Sequence, residues 1–223
     1  MSHPPGRFSN EPSSFDFIID GEQSSSSSIE HKSILIKGSL TCSGDLIASQ
    51  GGIKIDGHLD LTGDLTASSS FFITGSAKIT GECKSESMFI KGSLDCPVLR
   101  ANHIQILSKD LSLSKVIAQS TIFLSYSKFN QFSKSIELSA PEITIRYRAM
   151  YSRFMDVPSK LIGIFKKKRK FKKEIILENL AISCNTLIIE TLRIPDDVHF
   201  TFDNPSLIKV GSIQVKRIKI NPD

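Results

Sequence analysis

Three features are missing from this 223-residue sequence: long apolar runs, paired cysteines and a phosphate-binding loop. No run approaches the roughly 20 apolar residues that a helix needs to cross a bilayer, which excludes a membrane-spanning helix. Gly38 and Gly44 are six residues apart, but the Lys-Ser/Thr pair of a nucleotide-binding loop does not follow them. Met1–Asn10 lacks the apolar core of a secretory signal, so we expect a cytoplasmic protein. We also expect no cofactor, because the phosphate-binding loop is missing.

The few cysteines also limit the kinds of site that the chain can form. Cys42, Cys83, Cys96 and Cys184 include no CxxC pair and have no histidine cluster beside them. Structural zinc sites bring such ligands together at short spacings. We therefore expect thiols in the core and no metal site.

What the sequence does contain is an internal repeat. Glycine pairs six residues apart occur three times, and a fourth copy begins at Gly92, where Val98 replaces the second glycine. The leading glycines of the four copies are 19, 18 and 17 residues apart. The three complete pairs are Gly38 and Gly44, Gly57 and Gly63, and Gly75 and Gly81.

Apolar residues recur at three fixed positions within each copy. Each position holds two apolar residues that are two apart, the spacing of a short strand with one buried face. The first column, before the glycine, contains Ile34 and Ile36, Ile53 and Ile55, Phe71 and Ile73, Met88 and Ile90, and Ile104 and Ile106. The second contains Leu40 and Cys42, Leu59 and Leu61, Ala77 and Ile79, and Leu94 and Cys96. The third contains Leu46 and Ala48, Leu65 and Ala67, Cys83, and Val116 and Ala118.

A period near 18 residues, divided into three short strands, predicts an all-β fold. We expect a single-stranded β-helix, or solenoid, with about 18 residues per coil and coils about 4.8 Å apart. Glycine is expected at the corners, because the chain turns sharply there and a positive φ is open to glycine. Hairpins in a meander are the competing interpretation, but they would not repeat three apolar columns at a nearly constant spacing.

The composition divides the chain into four parts. Residues 1–32, with their prolines and serine run, are predicted to be a disordered N-terminal tail, and residues 33–145 form the β-helix. Residues 146–174 are a basic insertion, and residues 175–220 are either additional coils or a small β cap. Within the tail, the apolar patch Phe15–Ile19 is either an anchor for a membrane or partner, or a strand that covers the first coil.

The net charge of +5 is concentrated in one segment. Between Arg146 and Lys173, eleven lysines and arginines stand against Asp156 alone. An apolar patch directly precedes the polybasic run, which favours peripheral binding to an anionic membrane at ~1 kcal/mol for each basic residue. The predicted membrane contacts are Leu161, Ile162, Ile164, Phe165, Lys166, Lys167, Lys168, Arg169, Lys170, Lys172 and Lys173. A nucleic-acid contact, a protein contact and a solvated loop are the alternatives.

Enzymes built on β-helices supply an alternative function. A left-handed hexapeptide-repeat acyltransferase has coils of similar length and uses a histidine base, for which His58 and His103 are candidates. A polysaccharide lyase or hydrolase clusters carboxylates on one face, and Asp45, Asp64 and Glu82 form such a ladder. Neither histidine has an evident partner, and corner solvation also explains the ladder, so we expect no catalytic residues.

Two segments, Ile34–Leu40 and Ile53–Leu59, together with the Gly63-Asp64-Leu65 that follows, resemble the bactofilins, bacterial polymer-forming cytoskeletal proteins. The resemblance covers roughly residues 34–118. It implies a right-handed, triangular β-helix with disordered tails, polymerisation without nucleotide through stacked helix ends, and frequent attachment to the inner membrane face. It also implies a role in scaffolding cell-wall enzymes and influencing cell shape. The basic insertion and the strand-rich C-terminal third depart from the family pattern.

The ends of a β-helix favour self-assembly, because the hydrogen bonds that join coils can equally join molecules. We therefore predict a homopolymer, with Ile34, Leu35 and Ile36 as the assembly interface at the N-terminal end. Cell-envelope proteins are the expected further partners. The expected location is the cytoplasm, with peripheral association to the inner membrane.

Overall fold

The structure, a computed structural model, describes residues 14–108, 110–126, 135–148, 174–192 and 199–218. These residues lie mainly in β-strands, and the helical element among them is a short 3-10 turn at Pro205–Leu207. No helix in this part of the chain is long and apolar enough to cross a membrane. The predicted all-β fold class is confirmed.

The strands form the three faces of a β-helix, which we name A, B and C in the order in which the chain visits them. Face A contains Phe17–Ile19 (β1), Ile34–Ile36 (β4), Ile53–Ile55 (β7), Ser70–Ile73 (β10), Ser87–Ile90 (β13) and Glu142–Arg148 (β17). Face B contains Glu22–Ser25 (β2), Ser39–Cys42 (β5), His58–Leu61 (β8), Ser76–Ile79 (β11), Glu174–Leu177 (β18) and His199–Phe202 (β20). Face C contains Ile29–His31 (β3), Leu46–Ala48 (β6), Leu65–Ala67 (β9), Glu82–Lys84 (β12) and Ile136–Ser139 (β16).

Four longer strands bend around corners and contribute to more than one face. They are Ser93–Ile106 (β14), Leu111–Tyr126 (β15), Leu180–Leu192 (β19) and Ile208–Ile218 (β21). Their pairings show where each face begins. In β14, for example, Leu94 pairs with Ala77 on face B, Leu99 pairs with Cys83 on face C, and the end of the strand pairs with β13 on face A.

The register aligns the same repeat position from coil to coil, and every described pairing is parallel. On face A one column contains Phe17, Ile34, Ile53, Phe71, Met88, Ile104, Ile122, Ile143, Leu187 and Ile213. Paired residues such as Ile53 and Phe71 are 18 positions apart in sequence. The predicted coil and its stacked apolar columns are therefore confirmed.

The core is the apolar interior of the triangle. Ile34, Leu40, Leu46 and their counterparts in the next coil, Ile53, Leu59 and Leu65, have no exposed surface, and the buried residues form one continuous cluster. Burying a side chain of this size contributes about 1.5–3 kcal/mol. Because each three-residue strand points two side chains inward, the interior is filled by a few columns of aliphatic residues and the occasional thiol.

Corner glycines are required by close packing between coils. No glycine in the described ranges has a positive φ, so the positive φ expected at the corners is not found. A Cβ on Gly57 would clash with the carbonyl oxygens of Gly38 and Lys37 in the preceding coil, and a Cβ on Gly75 would clash with that of Gly57. The corner between faces A and B therefore stacks glycine on glycine, which leaves no space for a side chain.

The β-helix begins one coil earlier than predicted. β1, β2 and β3 pair with β4, β5 and β6, so residues 17–31 form a first coil and the prediction of a disordered tail is wrong for them. Of the two interpretations of Phe15–Ile19, the strand that covers the next coil is correct for Phe17–Ile19. Residues 1–13 of the predicted tail lie outside the described residues.

The C-terminal third continues the same stack. β16 pairs with β15, β19 pairs with β16 and β17, and β21 pairs with β19, so residues 175–220 contain additional coils. β18 and β20 pair with each other. Each follows a face A strand and precedes a face C strand along the chain, which assigns both to face B. β17 extends to Arg148 and β18 begins at Glu174, which moves the start of the basic insertion beyond Arg146 and Arg148. Residues 149–173 lie outside the described part.

Candidate functional site: the two ends of the β-helix

The predicted assembly residues do not lie at an end. Ile34, Leu35 and Ile36 form β4, which is paired with β1 on one side and β7 on the other. Ile34 and Ile36 are completely buried in the core, and Leu35 is also buried. Their predicted placement at the N-terminal end is wrong, because the stack begins one coil earlier, at β1.

At the N-terminal end, aromatic and polar side chains cover the first coil. The rings of Phe17 and His31 are stacked with centroids 3.9 Å apart. Gln23 occupies the interior register position that Leu40 fills in the next coil. Ile18, on the outer side of β1, is 52% exposed. This end is therefore only partly apolar.

Asp16 fixes the corner beside this end. Its carboxylate accepts hydrogen bonds from the backbone N–H groups of Lys32, at 3.0 Å, and Ser33, and from the Ser33 hydroxyl at 2.9 Å. Desolvation alone would raise the pKa of Asp16, but these hydrogen bonds outweigh it and hold the pKa below its usual value. The carboxylate thus ties the first coil to the turn that enters the second.

The C-terminal end is formed by β20 and β21 and is apolar where the interior columns reach it. Ile213 and Val215 pair with Leu187 and Ile189 of the preceding coil. They are 55% and 56% exposed, whereas Leu187 and Ile189 are buried. In the sequence these two residues have the spacing of a strand pair, but no local pattern marks them as the last pair of the stack.

The acidic ladder links successive coils. Asp45 Oδ1 accepts the backbone N–H of Asp64 at 2.9 Å, and Asp64 Oδ1 accepts that of Glu82 at 2.7 Å. In the first coil the Ser28 hydroxyl accepts the N–H of Asp45 at 2.9 Å. Glu82 instead forms ion pairs with Arg100 and, at 3.0 Å, with Lys84. The acidic ladder is therefore explained by its hydrogen bonds to backbone N–H groups at the corners.

The two candidate histidines also contact the neighbouring coil. His58 Nδ1 lies 2.8 Å from the Ser76 hydroxyl, and His103 Nδ1 lies 3.0 Å from the Thr121 hydroxyl. In both cases the partner is 18 residues along the chain, in the next coil. The structure does not bring the two histidines to one site, since His58 lies on face B and His103 lies on face A, more than two coils further along the stack.

Three of the four cysteines are buried in the core, as predicted, and Cys184 is partly buried. The Cys42 thiol donates to the carbonyls of Ser27 and Gly44 at 3.4 and 3.5 Å. The Cys83 and Cys96 sulfurs are 3.3 Å apart. The hydrogen bond with Cys96, together with burial, raises the pKa of Cys83, whereas the same bond lowers the pKa of Cys96. No cluster of three or more potential metal ligands occurs in the described ranges.

Arg146, counted above with the basic segment, is a structural residue of face A. Its guanidinium contacts Glu190 at 2.6 Å and lies 4.7 Å from the centroid of the Phe123 ring. It thereby joins three successive coils. The predicted membrane-contact residues, Leu161, Ile162, Ile164, Phe165, Lys166, Lys167, Lys168, Arg169, Lys170, Lys172 and Lys173, lie outside the described residues.

Comparison with known families agrees with this geometry. The family model of bactofilins, described as polymer-forming cytoskeletal proteins, matches residues 33–126. Residues 33–126 form a bactofilin domain. The match covers the coils from β4 to β15, and the first coil and the C-terminal coils lie beyond it. Searches of curated proteins and of solved structures found no match.

Proposed function

We propose that this protein is a bactofilin-type scaffold without catalytic activity, whose molecules polymerise through the ends of the β-helix and need no nucleotide. The observation that carries the proposal is the exposure of Ile213 and Val215. Both occupy interior columns, yet more than half of each side chain is exposed at the last coil. A coil from a second molecule would bury them as Leu187 and Ile189 are buried, contributing on the order of 1.5–3 kcal/mol for each side chain.

Sedimentation and electron microscopy of the purified protein without nucleotide test this proposal. We expect wild-type protein to pellet as filaments, and Ile213→Lys/Val215→Lys to remain in the supernatant, because a buried unpaired charge is strongly unfavourable. Gln214→Lys, on the outer side of the same strand, is the matched control and should assemble. A wild-type protein that stays monomeric at all concentrations contradicts the proposal.

Membrane attachment is the second part of the proposed function. We infer that the apolar patch Leu161–Phe165 and the following basic run bind an anionic surface at the inner membrane face, where the polymer would organise cell-envelope machinery. The support is the sequence: an apolar patch beside eight residues of which seven are basic. Nucleic acid remains the competing ligand of this run.

Vesicle flotation separates these possibilities. Wild-type protein should float with vesicles that contain an anionic phospholipid and stay at the bottom with purely zwitterionic vesicles. A variant with Lys166–Lys173 changed to serine should lose flotation and keep filament formation. If the protein does not float with anionic vesicles but shifts the electrophoretic mobility of a labelled DNA or RNA duplex, the membrane proposal is wrong and nucleic acid is the ligand.

A further inference from the structure

Two thiols of the core are in direct contact across a coil boundary. Cys83 lies on β12, in the fourth coil, and Cys96 lies on the face B part of β14, in the fifth. Both side chains are completely buried. Their sulfurs are 3.3 Å apart, and a disulfide bond needs about 2.0 Å, so an approach of about 1.3 Å would join the two coils covalently.

The third buried thiol shows what is particular to this pair. Cys42 occupies the same interior column of face B as Cys96. The Cys42 thiol donates to two backbone carbonyls at 3.4 and 3.5 Å, and the Cys96 thiol donates to two at 3.3 and 3.5 Å. Beside Cys42, however, Ile29 fills the position that Cys83 has beside Cys96. The two thiols therefore share an environment and differ in having a second sulfur within reach.

We propose that Cys83 and Cys96 form a redox modification site, at which a hydroperoxide oxidises the two thiols to an internal disulfide that fastens the fourth coil to the fifth. The proposed scaffold function does not use either thiol. The inference therefore stands independently of assembly through the ends.

The contact between the sulfurs assigns a role to each thiol. The hydrogen bond with Cys83 lowers the pKa of Cys96, which favours the nucleophilic thiolate there, and the same bond raises the pKa of Cys83, which keeps its proton. The Cys96 thiolate attacks the peroxide, the O–O bond breaks, hydroxide leaves, and Cys96 becomes a sulfenic acid. The Cys83 sulfur then attacks the sulfenic sulfur, and the oxygen leaves as water with the proton of Cys83. Two electrons thus pass from two thiols to one hydroperoxide.

Burial determines which product forms. Because neither sulfur has exposed surface, bulky thiols and other protein molecules do not reach the sulfenic acid on Cys96, whereas Cys83 already touches it. The internal disulfide is therefore expected in place of a mixed disulfide or a cross-link between molecules. It closes the chain between positions that are 13 residues apart. Such a cross-link limits the freedom of the unfolded chain and should raise the Tm by about 5–10 °C.

Peroxide treatment of the full-length Cys42→Ala/Cys184→Ala variant tests the site, because this protein keeps only the proposed pair of thiols. After hydrogen peroxide is added to the folded protein, its mass should fall by that of two hydrogen atoms. No thiol should remain for alkylation once the protein is unfolded. The Tm should rise as stated above, and dithiothreitol should reverse all three changes.

The wild-type protein supplies a second measurement and an internal control. Peptide mapping after the same treatment should show Cys83 joined to Cys96, while Cys42, which is buried in the same column as Cys96, should remain a thiol. If the pair is oxidised only in urea, or if the oxidised protein unfolds at a lower temperature than the reduced protein, the fold does not accommodate the disulfide and the inference is wrong. Oxidation of Cys96 to a sulfinic acid without bond formation to Cys83 would also contradict it.

Discussion

At the residue scale, the corner glycines show how tightly the coils are stacked. Gly38, Gly57, Gly75 and Gly92 each approach the carbonyl of the glycine one coil earlier, and their φ angles are ordinary. We expect Gly57→Ala to lower the free energy of unfolding by about 1–3 kcal/mol, because the added methyl group must displace backbone. Urea denaturation followed by circular dichroism measures the change.

Gly21 is the matched control, since it occupies the same corner in the first coil. A Cβ on Gly21 would have no atom within 4 Å. Gly21→Ala should therefore be neutral or slightly stabilising, as loss of backbone freedom in the unfolded chain favours alanine where space allows it. Equal destabilisation by both substitutions would show that backbone conformation, and not close approach, selects glycine at the corner.

The Cys184 thiol gives a prediction about pH. Burial raises its pKa from 9.0 to about 11. Because the thiolate is the reactive form, alkylation of Cys184 by iodoacetamide at pH 8 should be about 100-fold slower than that of an ordinary exposed thiol, and the rate should keep rising above pH 10. In a Gln214→Cys variant, mass spectrometry compares the alkylation rate of Cys184 with that of the exposed thiol introduced at position 214. Similar rates at pH 8 would contradict the prediction.

At the scale of elements, the sequence predicted the central strands well because each of them repeats the same apolar pair. It missed β2, where the interior positions hold Gln23 and Ser25, and the serine run there resembles disorder. Polar residues are tolerated in that strand because a terminal coil packs against a neighbour on one side. No local pattern distinguishes a first or last coil from a central one, which is why Ile34–Ile36 were assigned to the end.

Arg146 joins the coils on either side of the long basic segment. It pairs with Glu190 at 2.6 Å, and its guanidinium lies over the Phe123 ring. Arg146→Ala should lower the free energy of unfolding by about 1–2 kcal/mol, since a charge-assisted hydrogen bond and a cation–π contact are lost together. Thermal unfolding measures the effect, and Arg146→Lys should restore only part of it because lysine lacks the planar fork.

Comparison with Glu190→Gln tests whether the ion pair or the ring contact dominates. If Glu190→Gln costs as much as Arg146→Ala, the ion pair accounts for the loss. If Glu190→Gln is neutral, the contact with Phe123 and the packing of the arginine stem account for it. No change in either variant would mean that the three coils are held by their backbone ladders alone.

At the scale of the whole molecule, the repeat sets the length of one protomer. Ten strands are stacked on face A of the described residues, from β1 to β21. At about 4.8 Å for each strand, the described stack extends about 45–50 Å along the axis of the β-helix. Assembly through the ends therefore predicts filaments no wider than one β-helix, with this axial rise.

The axial repeat of those filaments also depends on polarity. A head-to-tail filament adds identical molecules in one direction, so its repeating unit is one molecule, with an axial rise of about 45–50 Å. A filament of like-end contacts alternates in direction and repeats only after two molecules, at about twice that distance. Cryo-electron microscopy of wild-type filaments distinguishes the two. An axial repeat that fits neither one molecule nor two would contradict assembly through the ends of the β-helix.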